Sequence, residues 1–107
     1  MISSFLALML AALGGQATDT TRTAREAFTR CLQSFVERSV SSRMTPSDFE
    51  AQYPQQCAEQ QTAYREAIIR RDTAARIARA AAEESAGLEI EDARINFSER
   101  FAMSQPR

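Results

Sequence analysis

Apolar residues recur at three- and four-residue steps in the first half of the chain: Ala24, Ala27, Phe28, Cys31, Leu32, Phe35, Val36 and Val40. That spacing lines one side of an α-helix, and Arg22, Glu26, Arg30, Gln33 and Glu37 take the other side. The pattern predicts a helix over about 20–42, stopping near Ser41–Arg43. A new start follows at once. Thr45 is placed as N-cap, Pro46 suits the first helical position, and Asp48 puts a carboxylate in the first turn, where the helix dipole favours it. Met44 and Phe49 stand where a hydrophobic staple closes such a start. Pro54 disfavours helical geometry at Tyr53. The expectation is therefore a short helix over about 46–52, a break, and a long helix over about 55–86.

Along that long helix Cys57, Tyr64, Ile68, Ala75, Ala82 and Ala86 fall within one narrow sector at 100° per residue. Gly87 suits the left-handed position that ends a helix. Leu88, Ile90, Ala93, Phe97 and Phe101 again show helical spacing and predict a last helix over about 89–103. The first helix can cover the long one only to about Ile68. The remainder needs Phe97 and Phe101 to fold back onto Ile69, Ile77 or the alanine stripe. Otherwise another molecule must cover it, which leaves a homodimer open.

The first seventeen residues carry no charged side chain. Ile2, Phe5, Leu6, Leu8, Met9, Leu10 and Leu13 make a compact apolar run, and Gly15 and Ala17 place small residues at the −3 and −1 positions of a cleavage site. This is the layout of a secretory signal peptide over 1–17, followed by a small helical domain over 18–107, the alternatives being a buried N-terminal helix or an uncleaved anchor. The run falls short of the roughly 20 apolar residues that span a bilayer, so no transmembrane segment is expected after cleavage. All thirteen basic residues are arginine. Arginine codons are GC-rich, which suggests a bacterial source and a periplasmic or secreted destination.

Export changes the reading of the two cysteines, because thiols pair in an oxidising compartment. Cys31 lies 13 residues before Met44 and Cys57 lies 13 after it. In an antiparallel hairpin, equal offsets bring two residues to the same level. The predicted fold is thus all-α: a disulfide-linked antiparallel helical hairpin (Cys31–Cys57) plus a C-terminal helix. Closing that loop stabilises by about 3–4 kcal/mol on the chain-entropy model.

Composition narrows the chemistry. There is no histidine, hence no imidazole base or ligand, and no soft ligand set joins the two cysteines. A formal charge of −1 argues against general binding of nucleic acid. The expectation is no catalytic residue, no metal and no cofactor, and a protein that is not an enzyme. Charge is nevertheless uneven. Between Arg65 and Arg79, five arginines meet two carboxylates, whereas Glu83, Glu84, Glu89, Glu91 and Asp92 follow without a base among them. The acidic run lacks the spacing of a calcium loop and is read as helix capping. The arginines are either a solvated face laced by Asp72–Arg76 and Arg79–Glu83 pairs or a contact surface. In the second reading Arg65, Arg71, Arg76 and Arg79 make polar contacts, with Ile69 and Ile77 as apolar anchors. The functional expectation is a non-enzymatic interaction module whose partner is an unknown protein or envelope component. The alternative is a structural subunit that self-assembles through the Ala-rich long helix.

Overall fold

A computed structural model describes residues 2–106, with side chains described from Asp19 onward. Four α-helices follow in order: α1 Ile2–Ser41, α2 Pro46–Gln52, α3 Ala58–Ala74 and α4 Arg79–Met103. A 3₁₀ turn, Tyr53–Gln55, joins α2 to the approach of α3. No strand occurs among the described residues. α1 reaches back past the expected start near residue 20 to Ile2, and no proline stands in its path. The expected signal peptide concerns residues 1–17, whose side chains lie outside the described residues.

The start at Thr45 forms as its residues dictate. Thr45 is extended (φ −70°, ψ 153°), its Oγ1 accepts from the Asp48 backbone N–H at 3.1 Å, and Pro46 opens the helix. Phe49 is buried and Met44 packs against the same cluster, which closes the staple.

The hairpin register also holds. Cys31 and Cys57 are bonded (S–S 2.00 Å, Cα–Cα 5.9 Å). Phe35 and Tyr53, each 9 residues from Met44, bring their rings to 6.2 Å. Thr21 and Ala67, each 23 residues from Met44, are joined by a bond from Thr21 Oγ1 to the Ala67 carbonyl at 3.4 Å. One antiparallel register therefore spans the whole contact of α1 with α3.

The long second arm is a correction. The helix expected over 55–86 ends at Ala74, and the chain turns at Ala75–Ala78. Arg76 sits in the left-handed region (φ 66°). The Ile77 N–H donates to the Asp72 carbonyl at 3.0 Å and the Arg76 N–H to that of Thr73, also at 3.0 Å. These are the two bonds of a Schellman stop. α1 ends the same way, with Arg43 at φ 56° and bonds from Met44 to Ser39 and from Arg43 to Val40. Neither stop uses glycine. Gly87 ends nothing: it lies inside α4 with an ordinary helical φ, so the helix expected over 89–103 begins ten residues earlier.

The early turn lets α4 fold back and close a three-helix bundle with α1 and α3. Arg71 of α3 meets Glu89 of α4, and Gln61 meets Arg94, so the two run antiparallel. Ala82 and Ala86 are fully buried. Their small side chains admit the returning helix at close range instead of lining the arm predicted to carry them. Phe97 and Phe101 are buried as well, but Phe101 stacks on Phe49 at 3.9 Å rather than on Ile69 or Ile77.

Two substitutions follow from the misplaced glycine. A Cβ at Gly87 meets nothing within 4 Å, so Gly87→Ala is expected to stabilise by about 0.5–1 kcal/mol through helix propensity. Arg76→Gly relieves the left-handed position and is expected to give a gain of similar size, about 0.5–1 kcal/mol. Thermal melts of both variants check this. A lower melting temperature for Arg76→Gly would contradict the stop described here.

Candidate functional site

The six residues expected to form a contact surface differ in burial and pairing, and two of them, Ile69 and Arg79, line one shallow depression with Glu66, Arg70 and Thr73. Ile69 is only 9% exposed and belongs to the core. Its placement follows from the fold-back, since the bundle covers the side of α3 that a hairpin alone leaves bare. Ile77 is 43% exposed, in the turn. Arg76 is exposed beside it, and Arg65 is half-buried on α3. Arg79 is held by Glu83 at 3.0 Å. Arg71 donates to Asp72 at 3.0 Å and lies 3.6 Å from Glu89 Oε2. The pairing expected between Asp72 and Arg76 is thus replaced by Asp72–Arg71, because Arg76 has left the helix. Burial works against the Arg71 guanidinium, but Asp72 and Glu89 outweigh it, and its pKa is raised.

A different surface stands open. Where the C-terminal end of α4 passes α2 and the 3₁₀ turn, a groove of about 600 Å³ remains. Its floor is aromatic. The Phe49 and Phe101 rings lie 3.9 Å apart and within 2° of parallel, and Tyr53 stacks on Phe49 at 4.8 Å. Pro46, Pro54 and Ala102 extend the apolar walls, and Glu50 and Glu99 stand at the rim.

The groove continues onto the outer side of α4. Leu88 (56% exposed) and Ile95 (47%) lie seven residues apart, and Ala102, seven further on, lines the groove. Seven residues are nearly two helical turns, so the three make one row. Glu84, Glu91, Asp92 and Glu99 are exposed alongside it. None of these four takes part in an ion pair among the described residues. The bases of α4 are engaged elsewhere. Arg79 is paired with Glu83, Arg100 lies over the Phe97 ring at 4.6 Å, and Arg94 points inward.

Arg94 fixes the groove's wall. Its Nη2 donates to the Gln56 carbonyl at 2.6 Å, Nη1 to the Tyr53 carbonyl at 3.2 Å, and Nε to Gln61 Oε1 at 2.5 Å. Its guanidinium lies 5.4 Å from the Tyr53 ring centre and 5.6 Å from that of Phe28. The Tyr53 hydroxyl donates back to the Arg94 carbonyl at 2.6 Å. The short segment between α2 and α3 is thereby bound to α4. No local sequence pattern marks Arg94 for this work. The spacing that groups Leu88 with Ile90 misses the outer row, although the two differ by 200° around a helix and cannot share one face. In the structure Ile90 is buried and Leu88 exposed.

Burial raises the pKa of both tyrosines. For Tyr53 the charge of Arg94 and its hydrogen bond only partly offset this. For Tyr64, Glu89 raises it further while Arg25 and Arg71 pull it down. Raised folded-state values mean that the unfolded phenols ionise first. Their contribution to stability is complete below about pH 10 and is lost as pH climbs through the folded values. Because the chain has two tyrosines, phenolate absorbance reads both. The native midpoint should lie above that of the denatured protein, and a native midpoint at or below it would contradict this placement.

The groove's polar side chains are Glu50, Ser98, Glu99 and Gln105. The Ser98 hydroxyl donates to the Ile95 carbonyl at 2.9 Å and has no imidazole or amine beside it. No group of three metal-binding side chains occurs among the described residues, and no described helix is long and apolar enough to cross a membrane. No family model matches the chain, and neither a curated protein nor a solved structure shows similarity to it.

Proposed function

We propose that the protein is a non-enzymatic interaction module, exported to a bacterial periplasm or secreted, which holds a polypeptide partner along the groove and the outer row of α4. The observation that carries this reading is the apolar tract itself. Once the bundle has closed on its own core, Leu88 and Ile95 still face solvent, and Ala102 carries their row to a groove whose floor is the buried rings of Phe49, Tyr53 and Phe101. A contiguous apolar surface with a polar rim is what contact surfaces retain and what a solvated helix face lacks. Export is supported by the uncharged apolar N-terminal run and by a disulfide in so small a bundle.

The test is site-specific photocrosslinking in the cells that make the protein. A photoreactive residue at Ile95 or Ala102 should give a discrete crosslinked product, and one at Gln33, exposed on α1, should not. Absence of product from both α4 positions sinks the reading. Mass analysis of the exported chain should find an N-terminus near Thr18, and a retained Met1 would contradict cleavage.

A further inference from the structure

We infer that the occupant of this surface is a basic amphipathic helix of a partner protein. The inference rests on the interaction-module reading and adds the chemistry of the partner. Leu88, Ile95 and Ala102 repeat every seventh residue, which keeps them on one side of α4 as a single heptad position, while the intervening positions are Glu91 or Asp92 and Ser98 or Glu99. The row spans about 21 Å of α4, roughly four turns of an opposing helix. An extended strand finds nothing to pair with, since no sheet edge exists among the described residues.

Charge selects among helices. Glu84, Glu91, Asp92 and Glu99 border the row without counterions from the described residues, and Glu50 continues the acidic rim around the groove. A second copy docked α4 on α4 would set these carboxylates against their own images, which disfavours a symmetric dimer through this face. An anionic lipid surface is repelled for the same reason. A helix with apolar residues at seven-residue steps, and arginine or lysine on both flanks, satisfies the row and the rim together.

The test uses the oxidised full-length mature chain and two labelled synthetic helices of about 21 residues, roughly 30 Å long. Both carry leucine at every seventh position. One has arginine on its flanks and the other glutamate. Fluorescence anisotropy should show the arginine peptide binding at low salt and weakening as salt rises, with the glutamate peptide at least about tenfold weaker. Leu88→Ser with Ile95→Ser should abolish binding. Glu84→Gln, Glu91→Gln, Asp92→Asn and Glu99→Gln together should weaken it about tenfold. All six positions are exposed, so circular dichroism should find the fold intact. Equal binding of both peptides would overturn the basic partner while leaving an apolar contact surface. Failure of both peptides, or binding indifferent to Leu88 and Ile95, would overturn the surface itself. Sedimentation of the chain alone supplies the last arm. Self-association removed by Leu88→Ser would make the occupant a second copy and overturn the proposal.

Discussion

Removing the Cys31–Cys57 disulfide should lower the melting temperature by about 12–32 °C. The two cysteines are 26 residues apart in sequence. Fixing a loop of that length removes about 3–4 kcal/mol of chain entropy from the unfolded state, and each kcal/mol moves the midpoint of a domain this size by about 4–8 °C. The position of the bond enlarges its importance. Cys57 has a left-handed backbone (φ 65°) and stands immediately before α3, with no side-chain cap on that helix. The bond therefore anchors the one place where the second arm of the hairpin is neither α2 nor α3. Thermal melts of oxidised protein, of reduced protein and of Cys31→Ser/Cys57→Ser measure the effect. A shift below about 5 °C in both reduced forms would mean that the core alone holds the register.

That register was legible because it depends on counting and on local chemistry. Thr45, Pro46 and Asp48 mark a helix start through bonds made within one turn, and the equal offsets about Met44 need only two straight rods. The turn at Ala75–Ala78 was not legible for the complementary reason. The residues around it, Ala74, Ala75, Ala78, Ala80 and Ala81, are the best helix formers available, and Arg76 is an unlikely tenant of a left-handed position. Local preference there favours an unbroken helix. The break is decided at a distance, by Ala82, Ala86, Ile90 and Phe97 reaching α1 and α3 once the chain reverses. Burial of that face outweighs about 1–2 kcal/mol of backbone strain at Arg76.

The same division separates the expected contact residues from the observed surface. The arginines of α3 stood out by charge. Charge in sequence does not reveal which carboxylate will come alongside, and Glu89, eighteen residues after Arg71, meets it only because of the turn. Leu88 and Ile95 stood out less, since in a continuous helical pattern they look like further core. Their exposure follows from which side of α4 faces the other two rods.

Arg94→Ala should cost about 2–4 kcal/mol, the largest loss expected from a single side chain that is not hydrophobic. Three acceptors lose their donor: the carbonyls of Tyr53 and Gln56 and the side-chain oxygen of Gln61. Bonds to a charged donor contribute about 1.5–3 kcal/mol each when buried, and less where water can replace them. Arg94 is half-buried, which brings the sum below the roughly 4.5–9 kcal/mol that three buried bonds would give. Arg94→Lys should recover only part of the loss. A lysine keeps the charge near the Tyr53 and Phe28 rings, but its single ammonium cannot span three acceptors as the guanidinium fork does. The decisive measurement is a double-mutant cycle with Cys31→Ser/Cys57→Ser. Gln56, which Arg94 holds, is the neighbour of Cys57 in the chain, so both ties act on the same break between the 3₁₀ turn and α3. Either one, left alone, must hold that break without help, and the combined loss should exceed the sum of the separate losses by about 0.5–3 kcal/mol. Additive losses would show that the two ties support different parts of the bundle. In that case the wall of the groove would be fixed by Arg94 independently of the disulfide, and binding at α4 should survive reduction.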